Sequence, residues 1–379
     1  HVRSRRQRQM CIRDRRMTDK LFAESEAAAL EQLHAQGLTD GLPVVIPTDE
    51  RVARMVLATG QAAELTLGDM GPAGGSATIE KIAVAAVMAG CLPDHMPVVI
   101  AAIEAIINPA FDLTEMQATT HCTAPLILVN GPARAACGGI ASGFGALGPG
   151  FRANASIGRA VRLAMMNIGG ARPGVSDMAL LGHPGKFSYC LAEDEASSPF
   201  EPLHVSRGFN AEDSVVTVVG AEAPHSVMYS GDADAGDDHE RLLNVLAIGL
   251  ANLATNNAAL TGGAAVVVLN PEHANILAGA GLTRADICAA LYDRCVHTTE
   301  ALAAVNPGFA SRLKPGAVRH CFKDPSQILV LVAGGSGLYS MVMPSWCAGG
   351  HRNEAVSQAI VLDLFCEIPV RADTSGVVA

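Results

Sequence analysis

Four short, almost purely apolar runs constrain the fold of this chain more than any other feature of its sequence. The runs APLILVNG, SVVTVVG, AAVVVLN and ILVLVAGG occupy residues 124–131, 214–220, 264–270 and 328–335. Runs of this length, apolar on both faces, are typical of strands that are buried on both sides. Longer helical patterns alternate with them. The sequence therefore predicts an α/β fold with mixed or parallel sheets and flanking helices.

Apolar spacing and cap residues locate the helices before and between these strands. We predict helices at residues 20–36, 48–60, 78–92, 97–107, 156–167, 237–255 and 283–295. Thr48 is the expected cap of the second helix, and Asn154 or Ser156 the expected cap of the fifth. The run LPVVI (42–46) is an additional strand candidate.

Length and composition allow either two domains or one large domain. The chain has 379 residues, of which 49% are hydrophobic and 17% charged, enough apolar material for a substantial core. The stretch TNNAALTGG (255–263) has the composition of a linker. We predict a larger N-terminal α/β domain at 17–258 and a smaller C-terminal α/β domain at 259–379.

The first sixteen residues differ from the rest of the chain. They contain seven arginines and one acid, and they resemble translated sequencing-adapter tails found on gene models from metagenomic assemblies. A nucleic-acid-binding arm is the alternative. We expect residues 1–16 to be a non-native tail, with Met17 as the natural start. Without this segment the formal net charge changes from −10 to −16.

The net charge and the cysteines limit the classes of partner and the cellular compartment that we expect for this chain. A chain this acidic is a poor candidate for binding nucleic acid or an anionic membrane. The most apolar long stretch, AVVVLNPEHANILAGAGL, is interrupted by polar residues. The ten cysteines are scattered without a C-x-x-C pair and no secretion signal is evident, which predicts free thiols in the cytoplasm. Self-association into a homo-oligomer is left open.

A literal G-x-G-x-x-G lies at Gly143–Gly148, but its surroundings do not fit a dinucleotide-binding loop. That motif requires a strand just before it, a helix opening within it and an acid about 20 residues later. Here the predicted strand ends a dozen residues earlier, Pro149 follows the third glycine, and the next acid is Asp177. No cofactor is predicted.

The residues after this motif are a better candidate for an anion site. The residues that gather at a predicted helix start, with no acid nearby in sequence, are Arg152, Asn154, Ser156, Arg159 and Arg162. Helix amides attract anions, and arginine binds carboxylate or phosphate through two hydrogen bonds. The alternative is glycine-rich packing in which the arginines pair with acids elsewhere in the chain.

Two further loops contain candidate catalytic residues. The stretch GGARPGVSDMALLGHPGK places Arg172 and Asp177 near His183, a candidate acid or base, and Lys186, a candidate anion ligand. The stretch TTHC places His121 and Cys122 just before the strand at 124–131. Neighbours in an extended chain point to opposite sides, so His121 and Cys122 are not expected to pair with each other. Local hydrogen bonding in turns, and a buried thiol, are the alternatives.

Three loose groups of possible metal ligands lack a recognised ligand spacing, so no metal site is predicted. They are Cys288, Cys295 and His297; Glu193, Glu195, Glu201 and His204; and His225, Asp232 and His239.

A second glycine turn follows the strand at 328–335, where ligands of α/β proteins usually bind. Ser336, Cys347, His351 and Arg352 are its candidate site residues. The stretches DGLPVVIPT, GALGPGFRANASIGRA and NIGGARPG resemble a little-characterised family of bacterial proteins. The C-terminal part is similar to the UGSC-like domain, with Gly334 and Gly337 where that domain has selenocysteine or cysteine. The resemblance implies a backbone cradle there and no thiol chemistry.

These observations lead to three functional hypotheses. The first is a cytoplasmic enzyme acting on a small anionic organic substrate in a cleft between the domains. In this hypothesis Arg152, Asn154 and Arg159 bind the anion, and His121 or His183 transfers protons with help from Lys186. Cys122 or Cys347 is a weaker candidate, as a nucleophile. The second hypothesis is a non-catalytic binding or accessory subunit, and the third is a thiol-based redox or chalcogen-transfer protein.

Overall fold

Two four-stranded sheets and the helices on their outer faces build the fold. The computed structural model describes residues 20–232, 236–344, 346–347 and 351–362. Residues 1–16, the predicted tail, lie outside this range. The α/β class with mixed sheets and flanking helices is confirmed. The parallel pairing expected from alternating strands and helices is limited to two strand pairs of the two large sheets.

The strands form two large sheets and two small hairpin sheets. The first large sheet has the order β12-β5-β3-β4 and the second β10-β7-β11-β6. The strands are β1 Thr66–Met70, β2 Gly75–Thr78, β3 Ala124–Asn130, β4 Cys190–Ala192, β5 Val215–Ala221, β6 His225–Met228, β7 Ala265–Leu269, β8 Val296–Thr298, β9 Val318–His320, β10 Ile328–Val332, β11 Tyr339–Met343 and β12 Val356–Ala359.

Each of the seven predicted helices is present in the described chain, and seven further helices of four to nine residues accompany them. They are α1 Glu26–Ala35, α2 Asp49–Thr59, α3 Ile79–Ala89, α4 Met96–Ile107, α5 Leu113–Ala118, α6 Ala133–Ala136, α7 Arg152–Asn167, α8 Leu203–Ser206, α9 Asp238–Leu250, α10 Asn256–Leu260, α11 Pro271–Gly279, α12 Arg284–Arg294, α13 Thr299–Val305 and α14 Pro307–Ala310. Thr48 caps α2, and Thr283 with Asp286 forms a capping box on α12.

Three local predictions are wrong. Residues 42–46 are extended but belong to no strand. Phe151, not Asn154 or Ser156, precedes the first turn of α7, because the Asn154 side chain bonds to the neighbouring loop. The predicted linker at 255–263 contains helix α10.

The two large sheets pack face to face. Side chains alternate along each strand, so one set points into the space between the sheets and the other toward the outer helices. Leu126, Val219, Val266 and Leu331 belong to the core between the sheets. Helices α4 and α7 cover the first sheet, with α3 packed on α7, and α9, α11 and α12 cover the second. The described chain is therefore layered as helices, sheet, sheet and helices.

Sheet membership does not follow the predicted boundary after residue 258. Strand β6 and helix α9 precede this boundary but contribute to the second sheet and its core. Strand β12 follows the boundary but pairs with β5 in the first sheet. The division into two domains stays a prediction.

Candidate functional site

Strand direction brings several of the predicted residues together at one end of the first sheet. Strands β3 and β4 are parallel and β5 is antiparallel to β3, so two amino ends lie beside one carboxyl end. His121 and Cys122 precede β3, the loop with His183 precedes β4, and Glu222 directly follows β5. With Arg162, Asp177 and Lys186, these residues are called the histidine cluster below.

A carboxylate fixes the His121 ring. Nε2 of His121 lies 2.9 Å from Oε1 of Glu222, and both side chains are about one-quarter exposed. A carboxylate can only accept a hydrogen bond, so the neutral ring carries its proton on Nε2. Nδ1 is then the basic nitrogen. It is shielded from solvent and has no hydrogen-bond partner within the described ranges.

The His183 ring also carries its proton on Nε2, but its other nitrogen is occupied. Its Nδ1 accepts the Gly185 N–H at 3.1 Å, which leaves the proton on Nε2. Nε2 is shielded and lies near the Ala221 carbonyl without a well-formed hydrogen bond. The ring meets Tyr189 edge-on, with centroids 5.7 Å apart. Nε2 of His183 is therefore a donor that lies near the Ala221 carbonyl, whereas Nδ1 of His121 is an acceptor.

Burial keeps His183 neutral. It lowers the pKa of His183 to about 4, the Ala221 carbonyl and Glu222 raise this pKa, and the charges of Lys186 and His121 lower it. At neutral pH the ring is therefore an uncharged hydrogen-bond donor beside a second imidazole that can accept a proton.

Two buried cations share one carboxylate in the histidine cluster. Lys186 Nζ lies 2.7 Å from Oδ1 of Asp177, and Arg162 Nη2 lies 2.8 Å from Oδ2. Burial raises the pKa of Asp177, but the hydrogen bonds and charges of Lys186 and Arg162 outweigh it, and the net pKa lies below its ordinary value. Burial lowers the pKa of Lys186, and Asp177 opposes this shift. The trio alone carries one excess positive charge, and the Glu222 carboxylate beside His121 carries the opposite charge in the same cluster.

Cys122 differs from most other thiols in the described chain. Its Sγ accepts the Gly182 N–H at 3.2 Å, and the side chain is partly exposed. Cys347, the other candidate nucleophile, is buried, and burial raises its pKa to about 11 although Lys323 and Arg319 oppose the shift. The structure places Cys347 outside the histidine cluster.

The residues predicted to bind an anion at the start of α7 already have protein partners. Arg152 donates from Nε and Nη2 to the Gly90 carbonyl at 3.1 and 3.0 Å. Arg159 makes a two-pronged pair with Asp40 at 2.7 and 2.8 Å. Asn154 Oδ1 accepts the Ala141 N–H at 2.8 Å.

Ser156 and Arg172 also lie apart from the cluster. Ser156 is buried in α7, where its carbonyl accepts from the Cys91 thiol. Arg172 is exposed and donates to the Gly37 carbonyl at 2.9 Å.

The two glycine turns meet at the opposite end of the sheets. The Gly334 N–H donates to the Ser142 carbonyl at 2.7 Å, and the Phe144 ring lies against Gly335. Ser336 is exposed in this turn. The G-x-G-x-x-G stretch therefore faces the second glycine turn, and neither contacts the histidine cluster.

The side chains of the other C-terminal candidates lie against carboxylates. His351 Nδ1 lies 2.5 Å from Asp112 and its Nε2 lies 3.6 Å from Glu115. Arg352 pairs with Glu354 at 3.2 Å.

One of the acids that the sequence groups around residues 193–204, Glu193, links the first sheet to a helix of the second sheet. Buried Glu193 pairs with buried Arg284 of α12 at 2.8 Å. Glu195 pairs with Arg134 at 2.6 Å. Among the described residues, no group of three His, Cys, Asp or Glu side chains is placed to hold a metal ion.

Sequence reasoning missed Glu222 as a site residue. One signal for it exists, because Glu222 is the first acid after a fully buried strand. Its partner, however, lies far away in sequence. Arg162 is close in sequence to the arginines of the α7 start, but its side chain belongs with Asp177.

No described helix is long and apolar enough to cross a membrane. The chain matches no protein-family model, and no curated protein or solved structure shows significant similarity to it. The chemistry of the cluster itself is therefore the basis for a function.

Proposed function

We propose that this chain is an enzyme that transfers protons on a small anionic organic substrate, with the histidine cluster as its reactive centre. The observation that carries the proposal is the His121–Glu222 pair, which leaves His121 Nδ1 basic and unpartnered among the described residues. A shielded polar atom without a partner costs free energy. A polar hydrogen of a bound substrate supplies the missing contact.

The two histidines have complementary roles in this proposal. His121 accepts a proton at Nδ1, and Glu222 stabilises the imidazolium that forms. His183, kept neutral, donates a hydrogen bond from Nε2 to an oxygen of the substrate where negative charge develops. His183 returns to its starting state without a change of charge.

The excess positive charge of the Asp177 trio accounts for the proposed anionic substrate. Lys186 and Arg162 share one carboxylate and are both more than four-fifths buried. Charges in such a place are screened less than exposed ones. This buried charge attracts a small carboxylate or phosphate in spite of the negative net charge of the chain.

Solvent hydrogen exchange tests the proposal even though the substrate is unidentified. The chain is incubated in D₂O with pooled small organic acids, and NMR detects loss of carbon-bound hydrogen or formation of a product. The wild type is expected to act on at least one compound and His121→Ala is expected to be inactive. His225→Ala, on strand β6 of the other sheet, is the matched control.

Equal activity of wild type and His121→Ala would place the reactive centre elsewhere. Binding of an acid without any exchange or product would favour an accessory or ligand-binding subunit.

Cys122 supports a second candidate function, a thiol-based reaction. It is partly exposed, and its sulfur accepts the Gly182 N–H. Labelling near neutral pH distinguishes the two proposals. Rapid modification of Cys122 and loss of all activity in Cys122→Ser favour thiol chemistry, whereas full activity of Cys122→Ser favours proton transfer by His121.

A further inference from the structure

The described surface has two apolar features, and the segments next to them are connected by a hydrogen bond. One is a groove of 1420 Å³ between α1, α2 and α3, called the helix groove below. The other is a bend at Leu180 and Leu181, called the leucine tip, whose residues are 83% and 91% exposed. Two adjacent leucines exposed to this degree are unusual for a surface that faces only water.

The leucine tip is held outward by hydrogen bonds at both of its ends. The Met178 N–H donates to the Gln117 carbonyl and the Leu180 N–H to the Thr120 carbonyl, at 3.2 and 3.0 Å. On the far side Gly182 donates to Cys122. A tip anchored in this way cannot fold back onto its own core, and it loses little entropy when a partner covers it.

The helix groove has the apolar character that suits such a tip. Its walls include Val52, Val56 and Leu57 of α2 and Val84 of α3, and Phe22 stands at its edge. Phe22 and Leu57 are 59% and 66% exposed. Burying a leucine side chain in such surroundings removes apolar surface from water and therefore favours association.

The leucine tip and the helix groove lie close together on one patch of the surface, and this arrangement indicates the kind of partner. Arg172, at the start of the loop that carries the tip, donates to the Gly37 carbonyl, and Gln36 and Leu38 on either side of Gly37 line the groove. A twofold interface uses the same patch on both subunits, so each subunit must present both halves of every contact. A patch with a tip and a groove meets this requirement.

We propose that a second copy of this chain docks on this patch, with each leucine tip inserted into the helix groove of the other copy. A single tip cannot bury the roughly 800 Å² per partner that stable interfaces need. In the reciprocal arrangement two tips insert instead of one, which doubles the buried area, and the walls of both grooves add to that area. The segment between Asp177 and His183 carries no charge, so the tip brings no charge into the groove, whose lining includes acids and two lysines.

Sedimentation equilibrium of the full chain tests the proposal with two variants. Leu180→Asp/Leu181→Asp removes the tip and Leu57→Glu obstructs the groove. Each variant is expected to weaken the dimer at least about 30-fold, the loss typical of an interface hot spot. Ile248→Asp, an equally exposed position on α9, is the control and should leave the dimer intact. Circular dichroism and melting curves show that the variants fold.

Mixing the two variants separates this arrangement from other dimers. The mixed pair retains one intact contact, between the tip of the Leu57→Glu chain and the groove of the other chain, so association should partly return. A monomeric wild type would overturn the proposal, as would a dimer that neither variant weakens. Failure of the mixed pair to associate more tightly than either variant alone would also overturn it. A dimer that only the tip variant weakens would overturn it as well, because it would show contact between tips instead of insertion into the groove.

Discussion

The start of helix α7 and the loop after that helix both concentrate positive charge, yet the two regions use it differently. At the helix start, Arg152 is exposed and bonds a carbonyl, and Arg159 is matched by Asp40. In the loop, Lys186 and Arg162 of α7 both pair with the carboxylate of Asp177. The same cluster contains Nδ1 of His121, which has no hydrogen-bond partner among the described residues. A count of cations therefore does not identify an anion site. Buried charge left over after pairing, next to an unsatisfied polar atom, is the better indication.

The largest expected difference between the two regions is in turnover. Glu222→Gln removes the charge that stabilises protonated His121, and kcat should fall roughly 10²–10⁴-fold on a substrate found by the exchange screen. Arg159→Ala should leave kcat within about threefold, because its partner Asp40 lies outside the histidine cluster. Steady-state kinetics of both variants measure the contrast.

A double variant checks that the pair acts as a unit. His121→Ala/Glu222→Gln should be no slower than His121→Ala alone, since effects within a catalytic unit are not additive. Additive losses would show that Glu222 acts independently of His121.

The second difference is in stability. Asp177→Asn leaves two buried cations without their carboxylate and should cost about 3–5 kcal/mol in the free energy of unfolding. Asp40→Asn should cost less, about 1–3 kcal/mol, because Arg159 keeps its hydrogen bond to the Pro43 carbonyl. Urea unfolding measures both. Asp237→Asn, in an exposed pair with Arg241, should change stability by less than about 0.5 kcal/mol.

A smaller effect concerns pH, and it should be similar in both regions. Burial lowers the pKa of His95, which feels the charge of Arg152, to about 4, as it does for His183. The unfolded chain binds protons on these rings below about pH 6.5, whereas the folded chain does not. Both rings therefore stabilise the fold fully above pH 6.5, and this contribution declines as the pH falls toward 4.

Urea unfolding between pH 7 and pH 4.5 tests this dependence. Each pKa unit corresponds to about 1.36 kcal/mol, so the loss per fully buried ring is about 2–3 kcal/mol, and less for the more exposed His183. His95→Asn, which can still accept the Leu92 N–H, should flatten the dependence. A dependence unchanged in both His95→Asn and His183→Asn would contradict the account.

The sequence predicts elements well where the signal is local. Helices α2 and α12 begin at the residues that follow Thr48 and Thr283, because a cap and an apolar stripe lie within a few residues of each other. The run at 42–46 fails as a strand because it has no neighbouring strand. The Val45 N–H donates instead to the carbonyl of Met88, near the end of α3, at 3.2 Å. A strand forms only beside a second strand, and the sequence of one segment does not indicate which strand pairs with it.

The candidate site shows the same difference between features that are local in sequence and contacts that are not. His121, Cys122, Asp177, His183 and Lys186 stand out in sequence because they are reactive side chains in loops beside strands. Their convergence depends on the parallel pairing of β3 with β4, which no local pattern shows. The pairings of Arg159 with Asp40 and of His121 with Glu222 are tertiary contacts between distant segments. For that reason the sequence could not distinguish a matched arginine from a buried excess charge.

Long-range ¹H–¹⁵N NMR of the histidine rings, with and without a bound organic acid, tests the central claim most directly. We expect His121 to carry its proton on Nε2 in the free protein. Addition of the acid should shift the Nδ1 resonance of His121 and the Nε2 resonance of His183, while His95 near the start of α7 stays unchanged. Shifts at His95 with none at His121 or His183 would contradict the account and return the anion site to the start of α7.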